Sequence, residues 1–130
     1  MSAVPVTALY GGLLAIFYVF ISTNVSRNRA KAQVFLEANK TVPDHLHLAQ
    51  RAQGNASEYV PFGVVLLLAL ELSHVSSLWL HIFGGALLLG RLLHAFGVLR
   101  KVGGAHVSGA MLTWLTLVVQ GIYLVVVHFR

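Results

Sequence analysis

The chain has 130 residues, room for one domain, and 57% of them are hydrophobic while only 10% are charged. Soluble domains carry about 25% charged residues, so a mean hydropathy of +0.77 excludes an ordinary soluble fold and makes the bilayer the expected solvent. The absence of cysteine excludes disulfides, thiolate metal sites and a cysteine nucleophile, and the net charge of +5 sits at helix ends and loops, where it fits topology signals and anionic headgroups rather than nucleic acid.

In chain order, Val4 to Val25 carries no charge and is the first predicted span, within a helix over about 4–29. Met1 to Pro5 lacks the basic region of a cleaved signal, so this run reads as a retained anchor. Ala8 with Gly12, and Gly11 with Ala15, have the small-xxx-small spacing that permits close helix contact. Residues 26–41 read as the one long polar connection, holding Arg27, Arg29, Lys31, Glu37 and Lys40. Thr41 is the expected N-cap of a second helix over about 42–74, with Pro43 in its first turn and Asp44 at the capping-box position. The apolar part of that helix, Tyr59 to Leu72, is too short to cross a bilayer alone. The span must therefore take in the polar stretch Ala52 to Glu58. A tight turn at His74 to Ser76 leads to a third helix over about 77–99, interrupted by Arg91 and His94, and a link from Arg100 to His106 leads to a fourth over about 107–128. No linker or low-complexity tract divides the chain. The expectation is one domain over 1–130: an all-α integral membrane protein, an antiparallel bundle of four transmembrane helices. The first and third loops carry Lys and Arg and the second carries none, which predicts cytoplasmic loops one and three and both termini outside.

The second helix holds the unusual chemistry. Arg51, Asn55 and Glu58 fall at i, i+4 and i+7, within about 60° of one another on one face, and the stretch rises about 10 Å. Ionisable groups at this depth are costly and face a bundle interior or a wet cavity. Pro61 removes the amide partner of the Ser57 carbonyl, which predicts a bend or a free carbonyl beside the stripe. The bland alternative is an internal salt bridge from Arg51 or Arg91 to Glu58 that merely holds helices together. Arg91 and His94, one turn apart, either line the same pocket or leave Arg91 to pair with an acid of a neighbouring helix. Glu71, His74 and His81 fit interfacial hydration, and Tyr10, Trp79 and Trp114 fit interfaces or packing. His45 and His47 diverge by about 160° on a helix, so no metal site is expected.

The run Arg51-Ala52-Gln53-Gly54-Asn55-Ala56-Ser57-Glu58-Tyr59-Val60-Pro61 resembles the second-helix signature of the MAPEG family, the membrane-associated proteins in eicosanoid and glutathione metabolism. The nearest likeness is to its microsomal glutathione transferase and leukotriene-C synthase branch. Size, four spans, the long first loop and Gly90-Arg91-Leu92-Leu93-His94-Ala95-Phe96-Gly97 in the third helix extend the resemblance over the whole chain. It implies a homotrimer with sites at subunit interfaces, open to the cytoplasm, and glutathione as co-substrate with no metal. Arg51, Asn55, Glu58 and Tyr59 would bind glutathione from one subunit. Gln53 and Arg29 or Arg27 would come from the next, with Arg91 and His94 lining the same pocket. Glutathione has one ammonium and two carboxylates, so Glu58 suits the first and arginines suit the others through bidentate pairing. The family often places tyrosines in the third helix where this chain has His94 and Val98. The arginine credited with thiol activation in the synthase branch has no clear equivalent in this chain; Arg100 is the catalytic candidate, with Lys101 and His106 as the other nearby substitutes.

The leading reading is a membrane glutathione transferase or peroxidase acting on lipophilic electrophiles or lipid hydroperoxides, in a bacterial inner membrane rather than the endoplasmic reticulum. A second is a protein that keeps the fold and binds glutathione or lipid without turnover. A third, distant one is a small proton-coupled multidrug transporter with Glu58 as its membrane carboxylate.

Overall fold

A computed structural model describes residues 3–33 and 41–129. Its elements are four helices: α1 (Pro5–Ala32), α2 (Asp44–Leu72), α3 (Ser77–Leu99) and α4 (Gly103–His128). Each is long and apolar enough to cross a membrane. At 1.5 Å per residue all four exceed the roughly 30 Å hydrocarbon layer, and α1 and α2 overshoot it most, by about 12 Å.

The first helix runs further than expected. Proline at its start has no N–H to lose, and Arg29 and Lys31 in its last turn complement the helix dipole, so the basic stretch stays helical to Ala32. Arg27 and Arg29 thus stand within the helix, as its expected extent to about 29 has them, and the polar connection begins later than residue 26. The expected Thr41 cap is corrected too. Pro43 is the N-cap of α2, with extended backbone, and no side chain caps the helix. Leu46 and His47 instead donate their N–H groups to the Pro43 carbonyl. Glu37 and Lys40 lie outside the described residues.

Both remaining turns are tight and built alike. After α2, His74 adopts a left-handed φ of 58°, its N–H bonds Glu71 O and that of Val75 bonds Leu70 O. After α3, Lys101 has φ 57°, its N–H bonds Val98 O and that of Val102 bonds Gly97 O. These are Schellman closures with side chains where glycine is usual. The second turn is short enough for α4 to start at Gly103, four residues earlier than the link predicted from sequence.

Helix α2 is central and touches the other three, α3 packs most extensively on α4, and α1 rests on α2 and α3. Contacts at both ends and the middle fix α1 antiparallel to α2: Val6 clusters with Leu67 and Leu70, Tyr18 bonds Gln53, and Val25 clusters with Leu46 and Ala49. The buried side of α2 reads Leu46, Ala49, Ala52, Ala56, Val60, Gly63, Leu67 and Leu70, repeating every three or four residues with small ones where backbones approach. Gly11 faces Val64 across this seam, whereas Gly12 has open space before it. Outward faces are apolar, with Ile16 71% and Phe20 67% exposed, as a lipid-facing surface requires.

Glu71 does more than meet interfacial water. Its two carboxylate oxygens accept the backbone N–H groups of Val6 at 2.9 Å and Thr7 at 2.7 Å, the unpaired donors in the first turn of α1. Nearby, Tyr10 lies on Gly84 and its hydroxyl meets His81 Nδ1 at 3.3 Å. Charge-assisted bonds of this kind are worth about 1.5–3 kcal/mol each against an unmet donor. Glu71→Ala is expected to lower the thermal unfolding midpoint in detergent clearly, with Glu71→Gln losing less because one acceptor remains. An unchanged midpoint for Glu71→Ala would refute the capping role.

Candidate functional site

The site is organised by how closely α3 and α4 approach. A Cβ on Gly97 would lie 2.1 Å from the His106 backbone nitrogen, and one on Gly109 2.3 Å from that of His94. A Cβ on Gly90 would meet Thr113 Oγ1 at 2.7 Å and the Gly109 carbonyl at 3.2 Å. Only hydrogen fits at these three positions. Their absence of side chains brings the backbones together and sets Arg91 and His94 of α3 directly against Thr113 and His106 of α4.

Arg91 is 2% exposed. Its Nε and Nη2 donate to Thr113 Oγ1 at 3.0 and 2.7 Å, and its Nη1 donates to Asn55 Oδ1 on α2. Thr113 passes its own proton to the Gly109 carbonyl at 2.9 Å, so its hydroxyl gives one bond and receives two, its full capacity. The Tyr59 ring lies under the guanidinium, 5.3 Å from Cζ to the centroid. The partners are neutral. Among the described residues no ion pair joins Glu58 to Arg51 or Arg91, so the salt-bridge alternatives are not what the structure contains. A neutral amide, a hydroxyl and an aromatic face hold the cation in place of an acid.

Beside this network lies a cavity of about 300 Å³ lined by Arg51, Asn55 and Glu58 with Gly54, and by His94, Val98 and His106 from α3 and α4. The polar stripe of α2 therefore faces one cavity, as its spacing predicted, and His94 joins it. His94 is 5% exposed and its ring meets that of His106 edge to face, with centroids 4.8 Å apart. Arg91 and Tyr59 stand behind the wall, coupled to the cavity through Asn55. The cavity offers one carboxylate, one accessible guanidinium, an amide, two imidazoles and an apolar patch at Val98. Such a set can orient a small zwitterion and move a proton.

Other expected site residues lie elsewhere. Gln53 projects toward α1, where its Nε2 donates to Tyr18 Oη at 2.8 Å. Arg27 and Arg29 are exposed on the last turns of α1. Arg100 is the exposed C-cap of α3 and does not line the cavity. Lys101 pairs with Asp44 at 3.4 Å at the surface. The α2 helix continues through Pro61, and the Ser57 hydroxyl donates to Gly54 O at 2.7 Å. A second cavity of about 500 Å³ lies between α1 and the start of α2, with Asn24, Asn28 and His45 in its wall.

Residues 7–126 match the MAPEG family over nearly the whole chain. The chain belongs to the MAPEG family. Within it, this MAPEG chain is 34% identical over 115 residues to the inner membrane protein YecN of Escherichia coli strain K12, covering 88% of this chain and 86% of that protein. The protein of the same name from E. coli O6:H1 strain CFT073 matches to the same extent. Four apolar helices and this membership make it a multi-pass integral membrane protein.

Sequence reasoning passed over Thr113, Gly90 and Gly109 as site-forming residues. Gly90 and Gly97 stand seven apart on α3, a spacing that marks one face of a helix built for close contact. Thr113 had no comparable signal, since a lone threonine in an apolar span is common.

Three substitutions test this construction. Thr113→Val keeps the shape and removes the acceptor of two guanidinium bonds, stranding a buried charge. Its unfolding midpoint should fall by more than a conservative surface change causes, about 1–3 kcal/mol in free energy. Gly97→Ala forces backbone apart and should destabilise comparably, whereas Gly104→Ala, with open space around it, should be tolerated. Equal stability of the two glycine variants would contradict the close crossing.

Proposed function

We propose that this MAPEG chain is a membrane-bound, glutathione-dependent transferase or peroxidase that acts on lipophilic electrophiles or lipid hydroperoxides. The observation that carries this reading is the charge pattern around one cavity: a carboxylate and a guanidinium on its wall, Glu58 and Arg51, with a second, buried guanidinium behind Asn55. Glutathione presents one ammonium and two carboxylates. Glu58 takes the ammonium and Arg51 a carboxylate, while Arg91, which has no acid beside it, keeps the wall positive and favours an anionic ligand. Positive potential also favours thiolate, the nucleophilic form of the sulfur.

The working assembly in this reading is a homotrimer with sites between subunits. Gln53, Arg27 and Arg29 do not line their own subunit's cavity; the two arginines are exposed and able to complete that of a neighbour, whereas Gln53 is held by Tyr18. The site opens at the end of the bundle where α2 begins, the cytoplasmic side by the charge of loops one and three. Likeness to a protein named for the inner membrane favours a bacterial inner membrane as its home. A second reading, binding without turnover, is favoured by one observation: Arg100 stands outside the cavity.

The test is thermal stability of the purified protein in detergent with and without millimolar glutathione. A ligand at a hundred times its Kd adds about 2.7 kcal/mol, several degrees in a protein this size. The expected result is stabilisation of the wild type that disappears in Glu58→Gln and weakens in Arg51→Gln. No stabilisation of the wild type overturns the glutathione reading. Stabilisation without conjugation of any reactive electrophile selects the non-catalytic reading.

A further inference from the structure

The cavity contains a pair of imidazoles that binding alone does not explain. We propose that His106 accepts the thiol proton of glutathione in this cavity, with His94 as the residue that positions it. This inference rests on the glutathione reading above.

The placement of basic groups supports it first. The family resemblance left Arg100, Lys101 and His106 as nearby substitutes for a thiol-activating arginine. Arg100 is the exposed C-cap of α3, and Lys101 is turned to Asp44, so His106 is the one of the three on the cavity wall. Glu58 and Arg51 match the charged ends of the ligand, and Asn55 is held by Arg91. Imidazole is the side chain best suited both to take and to return a proton near neutrality. Of the two rings, His94 is almost wholly buried, whereas His106 is half-buried and open to the cavity.

The second support is rigidity. His106 sits in the first turn of α4, where its N–H bonds Val102 O at 3.1 Å, and its backbone is pressed against Gly97. His94 abuts it edge to face, restricting the swing of its ring. A base held this way needs no rearrangement when the thiol arrives. The charged and titratable groups around the pair are Arg51 and Glu58 on α2, Arg91 on α3 and Lys101 in the turn before α4. Arg51 and Arg91 favour the thiolate that the transfer leaves behind, Glu58 favours the imidazolium, and the charge of Lys101 is offset by Asp44.

The step is a simple proton transfer. The S–H bond breaks with its electron pair left on sulfur, and an N–H bond forms on the His106 ring, giving imidazolium beside thiolate. The thiolate then attacks the electrophilic carbon, the displaced group departs with the bonding pair, and the imidazolium can return the proton to it.

The experiment separates an internal proton acceptor from mere electrostatic stabilisation. Glutathione is titrated into the full chain in detergent at about pH 8, where free imidazole is neutral and the free thiol is still largely protonated. Thiolate is followed by its ultraviolet absorbance, and protons released by calorimetry in buffers of different ionisation enthalpy. The expected result for the wild type is thiolate formation with almost no proton released, because His106 keeps it. In His106→Gln, thiolate per bound glutathione should fall at least tenfold. His94→Gln should lose part of the thiolate per bound glutathione. Thiolate formed with one proton released per glutathione in the wild type overturns the proposal, whether or not the variants fold. So does a His106→Gln protein with the wild-type thiolate signal. Failure of wild-type glutathione binding overturns the underlying reading instead, and is told apart by the absence of any heat or stabilisation.

Discussion

The contact between α3 and α4 at Gly90, Gly97 and Gly109 is the constraint on which the rest of the structure depends. Bare backbone meets bare backbone there, at distances that admit no methyl group. A guanidinium reaches across to a hydroxyl, and two imidazoles meet, only because the helices are this near. Moving α4 out by the thickness of a methyl group would separate Arg91 from Thr113 and open the cavity wall. The groups are ordinary; the proximity is what gathers them around one cavity.

In lipid, helices gain little by hiding apolar surface from each other, since the surrounding chains are equally apolar. Packing of small residues and polar bonds must then choose the register. Both operate here on the same face of α3: glycines set the distance, and Arg91 fixes rotation and height by engaging α4 through Thr113 and α2 through Asn55. A charge kept from water and, among the described residues, from any carboxylate is expensive. Its retention among neutral partners fits the use of its field in the proposed function.

Much of the architecture was legible because the bilayer imposes it. Four apolar runs of sufficient length have few folds open to them, and the polar stripe of α2 was conspicuous because no apolar pattern accounts for Arg51, Asn55 and Glu58 on one face. What could not be read depended on distance in three dimensions. Gly103 and Gly104 looked like loop residues, yet the first turn of a helix tolerates them once α3 has ended in a tight closure. The first helix was expected to stop near 29, yet it runs to Ala32, because a helix leaving the bilayer welcomes cations such as Arg29 and Lys31 in its last turn. The partner of Arg91 was sought among acids, because sequence shows charge and not the neutral hydroxyl of Thr113, 22 positions away. His106 fell in an assumed link, so its place beside His94 had no precursor in the spacing.

The Glu71 cap carries a consequence for how the protein is made. The start of α1 is closed by a carboxylate 64 and 65 positions later in the chain, at the far end of the next helix. When α1 leaves the ribosome, its opening amides have no protein acceptor and must be satisfied by water or headgroups. They exchange that partner for Glu71 only once α2 has crossed the membrane beside it. The helical hairpin, rather than the first helix, is therefore the earliest piece of the nascent chain able to settle at that surface.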